Sequence, residues 1–385
     1  MKPVVIGAFA GTALLAAPAF GATLQALYSD QSTDQVIFAV DRNGDGDADD
    51  AGETQVFFDE FNESGLATPS DNVFTMVQAS DGAVFIGDGN ADAVYRLKDL
   101  DGDDSAQSVG EASVWFSADN AGLLPLLTPN GVAQGGDGAI YIVEADTVST
   151  PNGDFVYRTE DLNGDGDAND AGEAAVWLDL KALNAASSAF DIRFDGDVAY
   201  IADSAGGDPR IYRAEDVNGD GTVSGNEVTE FISGAGAPFA FGLDVLGGTV
   251  YALDLGGQVF SLTDLDASGS IDAAGESAVV WDEDLTGATA GALFSIAALS
   301  DDELLFTSNG GTSSDALFRL LDLNGDGDFL DAGETTRFLS RDVQGMLPDR
   351  PRAIIGYDSV APVPVPPALP ALATALGLLW LRRRR

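Results

Sequence analysis

Six acidic segments recur along the 385-residue chain at intervals of 48 to 62 residues, and their side chains could bind a hard cation. In each segment Asp, Asn or Ser alternates with Gly or an apolar residue, as in the run from Asp161 to Glu173. Ca²⁺ takes six to eight oxygen ligands, and a calcium loop supplies them at alternate positions around a sharp turn at the sixth residue. The sequence therefore predicts at least four calcium sites and up to six.

The six loops match this pattern to different degrees. The fourth, from Asp216 to Glu227, satisfies it at every position, with Gly221 at the turn. The first, third and sixth begin equally well but place their closing Glu at the thirteenth position. The second and fifth loops are eroded, since Asp104 replaces the turn Gly in one and Ser268 replaces a carboxylate in the other. We expect the flanking segments to be strands, which predicts a structural metal site without the helix opening of a sensor.

The loops resemble EF-hand and dockerin-type calcium loops, and the first, third and sixth loops carry one extra residue. In those three the last ligand stays open: either the Glu bends back, or Asp49, Asn169 and neighbouring carboxylates close the shell. The alternative, a set of solvated acidic hairpin turns, agrees with the Asn-Gly and Asp-Gly pairs but leaves repelling carboxylates without a cation. The candidate metal ligands are, loop by loop, Asp41, Asn43, Asp45, Asp47, Asp49 and Glu53; Asp99, Asp101, Asp103 and Glu111; Asp161, Asn163, Asp165, Asp167, Asn169 and Glu173; Asp216, Asn218, Asp220, Thr222, Ser224 and Glu227; Asp264, Asp266, Ser268, Ser270, Asp272 and Glu276; Asp322, Asn324, Asp326, Asp328 and Glu334.

Alternating apolar and polar residues surround every loop. Each repeat after the first holds four such runs, one directly before the loop, one directly after it and two further upstream. No helical periodicity appears between residues 22 and 360. Six four-stranded repeats of 48 to 62 residues predict an all-β fold, a six-bladed β-propeller. Because every loop joins the third and fourth strands of its blade, all six loops are expected on one face.

The two ends of the repeat region, residues 22–360, predict how the ring closes. The first repeat has only three strand-like runs, and Ala353–Tyr357 follows the sixth repeat as a strand without a repeat of its own. We expect this C-terminal run to supply the innermost strand of the first blade. An aromatic residue four or five positions after each closing Glu is expected to pack between blades, in preference to stacking on a carbohydrate: Phe57, Trp115, Trp177, Phe231, Trp281 and Phe338.

The recurring VYR, IYR and LFR tripeptides and the Asp-Gly turns before them resemble those of NHL-type and gluconolactonase-like propellers. The resemblance implies a six-bladed ring and an alternative function, a metal-dependent lactonase or esterase working at the channel mouth opposite the acidic loops. The chain has no His and no Cys, which excludes His-based triads and thiolate chemistry. The polar residues expected on that opposite face are Asp88, Asn90, Glu144, Asp146, Asp203, Asp254, Ser308 and Asn309.

Both termini carry targeting signals. Residues 1–21 read as a secretory signal peptide, with Lys2, an apolar stretch and small residues before the cleavage point. Residues 361–385 contain a Pro-rich spacer, an apolar segment expected to be a hydrophobic helix, and four arginines. This order resembles the PEP-CTERM/VPxPA-type sorting signals of Gram-negative bacteria, and it implies recognition by an exosortase-type enzyme and at least transient membrane anchoring through the tail.

The composition of the chain limits the binding partners of the repeat region. The chain has 63 acidic against 18 basic residues, a net charge of −45, which argues against nucleic-acid binding and disfavours anionic membranes. With 45% hydrophobic residues it can still build a core. We therefore expect an exported calcium-binding propeller of the periplasm, cell surface or extracellular matrix. Its expected role is structural, or it binds a polysaccharide or a protein. Signal peptidase is expected to act on the chain during export.

Overall fold

A computed structural model describes residues 23–66, 72–122, 124–145, 154–204, 207–311, 314–341 and 348–358. The predicted signal peptide and sorting tail, including the predicted C-terminal helix, lie outside these ranges. Within them, no helix is both long and apolar enough to cross a membrane.

The described chain folds into six antiparallel four-stranded sheets, which confirms the six-bladed β-propeller. The strands of the first three blades are β1 Gln25–Asp30, β2 Gln35–Val40, β3 Thr54–Phe58, β4 Val73–Gln78, β5 Val84–Asp88, β6 Ala93–Leu97, β7 Ala112–Ser117, β8 Pro129–Gln134, β9 Ile140–Glu144, β10 Phe155–Thr159 and β11 Ala174–Asp179. Those that follow are β12 Ala189–Asp195, β13 Val198–Asp203, β14 Arg210–Ala214, β15 Val228–Ser233, β16 Leu243–Leu246, β17 Thr249–Asp254, β18 Gln258–Thr263, β19 Ser277–Asp282, β20 Ala292–Ser300, β21 Glu303–Asn309, β22 Ala316–Leu321, β23 Thr335–Ser340 and β24 Pro351–Gly356.

The ring closes by sharing the first blade between the two ends of the chain, as predicted. Its sheet has the order β24-β1-β2-β3, so the C-terminal strand lies innermost and pairs with β1 through Leu27 and Ile355. The innermost strands β24, β4, β8, β12, β16 and β20 each contact the next one around the ring. The innermost strand begins two residues earlier than the sequence predicted and ends one residue earlier.

Apolar side chains fill the spaces between blades. One cluster joins Phe57 of the first blade to Tyr95 of the second, and another joins Trp177 of the third to Tyr212 of the fourth. The sequence missed two single-turn helices, α1 (Leu180–Leu183) and α2 (Glu283–Thr286), which follow the outer strands β11 and β19. Asp179 caps the first and Asp282 the second, so each is fixed by one local capping residue and has no periodicity to detect.

Candidate metal sites in the acidic loops

The first Asp of every loop holds the turn in place through backbone hydrogen bonds. One carboxylate oxygen of Asp161 accepts the N–H of Gly164 at 2.6 Å, and the other accepts that of Gly166 at 2.9 Å. The bond from the sixth residue recurs in all six loops with N···O distances of 2.8 to 3.0 Å. The loops therefore share one turn geometry, despite their differences in sequence.

The closing Glu is buried in every loop and ties both ends of the loop together. Glu53 is 2% exposed; its Oε1 accepts the N–H of Arg42 and Asn43, and its Oε2 accepts that of Asp50. The closing Glu makes corresponding bonds in the other four thirteen-residue loops, at Glu111, Glu173, Glu276 and Glu334. A carboxylate has about four lone-pair sites, so these bonds leave room for a cation as well.

In the first, third and sixth loops the third, fifth and tenth residues converge. The amide nitrogen of Asn163 donates to Asp165 at 3.1 Å and to Asp170 at 2.7 Å. Asn43 bridges Asp45 and Asp50 in the same way, and Asn324 bridges Asp326 and Asp331. Sequence reasoning did not name the tenth-position residues Asp50, Asp170 and Asp331, although all three loops carry Asp immediately before Ala-Gly-Glu.

The ninth-position residues, considered above as closing ligands, contact the neighbouring blade. Asp49 Oδ1 accepts the N–H of Ser340 in the sixth blade at 2.8 Å, and Asn169 Oδ1 accepts that of Ser117 in the second blade at 3.0 Å. Because one oxygen of each is committed to this contact, the tenth-position Asp is better placed to complete the shell in these loops.

The two loops described above as eroded retain the geometry of the others. Asp99, Asp101 and Asp103 of the second loop bring carboxylate oxygens within 4.8 Å of one another, and Asp264, Asp266 and Glu276 of the fifth do the same. Among the described residues, these are the two clusters of three or more such groups. The other loops carry the amide of Asn at the third position.

In the second and fifth loops, one residue other than Gly has a positive φ, which costs free energy of folding. Asp104 takes the place of the turn Gly with φ of 61°, and Ala267 occupies the fourth position, Gly in the other loops, with φ of 60°. A side chain in this left-handed region costs roughly 1–2 kcal/mol compared with Gly. Asp tolerates the conformation better than most residues, which explains why the turn survives at Asp104.

Backbone N–H groups keep several of these carboxylates ionised. The hydrogen bond from Gly269 lowers the pKa of Asp264, the bond from Ala273 lowers that of Glu276, and the bond from Gly327 lowers that of Asp322. The hydroxyl of Thr222 lowers the pKa of Asp220. Ionised oxygens held at fixed positions are the donor set that Ca²⁺ prefers.

Each loop is also bonded to the blade before it in the ring. The N–H of the eighth loop residue donates to a carbonyl of the outer strand of that blade, with N···O distances of 2.6 to 2.8 Å in all six cases. We call this bond the blade clamp. Its six donor–acceptor pairs are Ala48–Phe338, Ala106–Phe57, Ala168–Trp115, Val223–Trp177, Ile271–Phe231 and Phe329–Val280.

A β-bulge in each outer strand supplies the clamp acceptor. In the second blade Val94 pairs with Phe116 and Tyr95 with Val114, so Trp115 is the extra residue. The same shift makes Phe57, Trp177, Phe231, Val280 and Phe338 the extra residues of the other outer strands. A bulged residue stands outside the ladder, which leaves its carbonyl for the neighbouring loop.

The aromatic residues after each closing Glu are buried, in agreement with the predicted packing role. Trp115 is 7% exposed and Trp177 3%, and the four others are 0 to 1% exposed. The Trp115 indole N–H donates to Thr159 of the next blade at 2.9 Å, and that of Trp281 donates to Thr335 at 2.9 Å.

On the opposite face, the predicted polar residues hold the backbone at the ends of the second strands. Glu144 Oε2 accepts the N–H of Leu127 and Thr128, and Asp203 Oδ1 accepts that of Ser188. Asp254 and Ser308 accept N–H groups from the segments before β16 and β20, and Asp88 accepts the N–H of Asn90. Asn309 ends β21. Asp146 lies outside the described residues, and the described carboxylates of this face form no cluster of three.

Asp30 is the first-blade counterpart of these residues and was missed in the sequence. It ends β1, and its carboxylate accepts the N–H of Ser32, Thr33 and Asp349. Burial raises its pKa to about 6. Aligning the run LYSD before it with VFIGD before Asp88 could have found it, but the first repeat begins one strand later than the others.

No family model matches the chain, and no curated protein matches it either. Among solved structures, a chain of a nidogen/laminin complex aligns with 16% identity over 88% of this chain and 99% of its own, with a TM-score of 0.55. A gluconolactonase from Xanthomonas campestris aligns with 15% identity over 74% and 83% of the two chains, with a TM-score of 0.46. The calcium-binding protein regucalcin from Agrobacterium tumefaciens aligns with 13% identity over 68% and 72%, with a TM-score of 0.42. At these identities the likeness concerns the fold alone.

Proposed function

We propose that this protein is an exported calcium-binding β-propeller in which Ca²⁺ on the acidic loops stabilises the ring, so that its faces can bind a polysaccharide or protein outside the cytoplasm. The blade clamp carries this proposal. Each candidate metal loop donates its eighth N–H to the preceding blade, so a cation that orders the loop also orders the boundary between two blades.

The loops have the donors for such a cation. In the third loop, Asp161, Asp165 and Asp170 present carboxylate oxygens, and the amide nitrogen of Asn163 bridges Asp165 and Asp170. Glu173 holds loop N–H groups with both of its oxygens. Bound Ca²⁺ would supply positive charge that offsets the repulsion among these carboxylates. Because such a site is not formed in the unfolded chain, the free energy of binding becomes free energy of folding.

A stabilising role fits the loops better than a sensing role. The strands on both sides of each loop are paired with neighbours in the same sheet, and no helix pair flanks a loop within the described residues. Extracellular calcium modules bind with dissociation constants of about 0.1–1 mM, which suits the calcium concentrations met by an exported protein.

Export and surface location are proposed from the two terminal signals of residues 1–21 and 361–385. Fractionation of the natural host with an antibody against the repeat region tests this part of the proposal. We expect the protein in the envelope or the medium, cleaved at its N-terminus. Recovery in the cytoplasm with an intact N-terminus would contradict it.

Thermal unfolding tests the role of the metal. Residues 22–360 would be melted in CaCl₂, in EGTA, and in MgCl₂ at matched ionic strength, with circular dichroism at the β-sheet band as the signal. We expect Ca²⁺ to raise the melting temperature by tens of degrees above the EGTA value and Mg²⁺ to raise it far less, since Mg²⁺ demands a smaller octahedral site. Equal melting curves in Ca²⁺ and EGTA would refute the proposal.

A further inference from the structure

The channel mouth opposite the acidic loops is lined by aromatic side chains and one arginine. The innermost strands begin on this face, since Val73 at the start of β4 pairs with Asp88 at the end of β5. In β4, β12 and β20 the register shifts near the strand start, at Phe74, Phe190 and Phe294. Phe241 comes two residues before β16.

These side chains form an arc from the fourth blade through the fifth and sixth and on to the first and second. The ring centroids of Phe190 and Phe241 are 4.2 Å apart, and those of Phe241 and Phe294 are 5.7 Å apart. The guanidinium carbon of Arg352, on β24, lies 3.8 Å from the Phe294 centroid and 5.0 Å from that of Phe74. All five side chains are partly exposed, so the arc has a surface that a ligand can reach.

Arg352 differs from the other inner-strand arginine. Arg193 on β12 donates to Asp191 at 2.6 Å, whereas Arg352 has no ion pair among the residues that the structure describes. Its Nε donates to the amide oxygen of Gln31 at 2.9 Å, and its terminal nitrogens have no hydrogen-bond partner within the same residues. Burial and the nearby Arg350 lower its pKa to about 10, so the guanidinium remains charged at neutral pH.

A stacked guanidinium with free terminal N–H groups has a defined chemistry. It presents a planar fork that matches a carboxylate in bidentate fashion. The aromatic faces beside it stack on a flat ring or on the C–H face of a sugar. In a chain of net charge −45, a cation that has no carboxylate partner among the described residues suits a carboxylate supplied by a ligand.

We propose that this mouth binds a ring-bearing carboxylate, with Arg352 holding the carboxylate and Phe294 and Phe74 stacking on the ring. The inference rests on the binding role proposed above and gives it a ligand class. Two sources share this chemistry, a uronic acid sugar and an aromatic carboxylic acid. Binding takes place on the face away from the metal loops.

Isothermal titration of residues 22–360 in CaCl₂ tests the assignment, with glucuronate, benzoate and glucose as probes. We expect one carboxylate probe to bind at one site per chain and glucose to bind at least tenfold more weakly. Preference for glucuronate assigns a uronic acid ligand, and preference for benzoate an aromatic one. If neither carboxylate binds more tightly than glucose, the proposal is overturned.

Variants locate the site. Arg352→Gln is expected to weaken carboxylate binding at least tenfold, and Arg352→Lys to recover only part of it, since Lys keeps the charge without the planar fork. Arg96→Gln is the matched control: it removes the same charge from β6, where Arg96 pairs with Asp81, and should leave binding unchanged. Equal losses in the Arg352 and Arg96 variants would refute the assignment.

A variant of Phe294 provides a second test of the same site. Phe294→Leu keeps an apolar side chain, removes the ring under Arg352, and should weaken binding severalfold. It serves as the second variant if Arg352→Gln does not fold.

Calcium-dependent melting, measured on the same preparations, tests the metal loops independently of the carboxylate site. Normal melting without carboxylate binding would refute this inference alone, whereas carboxylate binding without calcium-dependent melting would refute the metal proposal alone.

Discussion

Substituting the first Asp of a single loop should produce a loss of stability that appears mainly in calcium. In Asp161→Asn one carboxylate oxygen becomes an amide nitrogen, so either Gly164 or Gly166 loses its acceptor. One lost hydrogen bond is worth about 1 kcal/mol, and this part is expected with or without metal. The loss of one calcium ligand should in addition abolish the site.

The calcium-dependent part follows from mass action. A site at a hundredfold excess of ligand over its dissociation constant stabilises the folded state by about 2.7 kcal/mol. Asp161→Asn should therefore lower the free energy of unfolding by roughly 4 kcal/mol in saturating calcium and by about 1 kcal/mol in EGTA. Part of the calcium effect acts through the blade clamp of this loop, Ala168 to Trp115.

Urea unfolding in CaCl₂ and in EGTA measures both values, and titration calorimetry should count one calcium fewer. Asp301→Asn is the matched control, since it makes the same charge change at an exposed turn before β21, outside the loops. It should cost less than about 0.5 kcal/mol in either buffer. If Asp161→Asn costs the same with and without calcium, the third loop does not bind calcium and the reasoning fails for it.

Three further outcomes are expected. Asp104→Gly and Ala267→Gly should each raise the free energy of unfolding by about 1 kcal/mol, because they relieve positive φ values of 61° and 60°; Gly166→Ala, with φ of 100°, should lower it. Urea unfolding in EGTA should show stability rising between pH 7 and pH 5, by roughly 1 kcal/mol from each of Asp30 and Asp191. The pKa of each carboxyl is about 6 when folded and about 4 when unfolded, so that the folded state alone takes up the proton. A fall in stability over this range would contradict the assignment. Ending the chain at residue 360 should leave the melting temperature unchanged, whereas ending it at residue 350 removes β24 and should abolish cooperative unfolding.

The fold could be predicted because its signals are local and repeated. Alternation of apolar and polar residues, as in Ala93–Leu97, marks a strand without knowledge of its partners. The innermost strand of the first blade was predicted by counting, since the first repeat lacks one strand and the chain after the sixth repeat has one to spare. The single-turn helices were missed because four residues are too few to show a period.

The candidate site was predicted in its residue types and incompletely in its geometry. Asp50 and Asp49 are adjacent acidic residues with nothing in the sequence to separate them. The structure places Asp50 beside Asn43 and turns Asp49 toward Ser340 of another blade. The difference arises from packing between blades, which a single repeat does not encode. The blade clamp could not be predicted from the sequence for the same reason. Its acceptor is a backbone carbonyl that a bulge leaves outside the strand ladder.

The first blade contains the seam at which the ring closes, and two kinds of contact hold it. The strand pairing of β1 with β24 joins the N- and C-terminal parts of the chain. At the rim of the same blade, the N–H of Ala48 in the first loop donates to Phe338 of the sixth blade, and Asp49 accepts the N–H of Ser340. The chain runs from the sixth blade into β24, so strands β1 to β3 are held to the C-terminal part of the ring by non-covalent contacts alone. The other five blades each consist of consecutive strands. A cation in the first loop would therefore act where the ring is most easily opened, and its loss should lower stability more than the loss of any other single site.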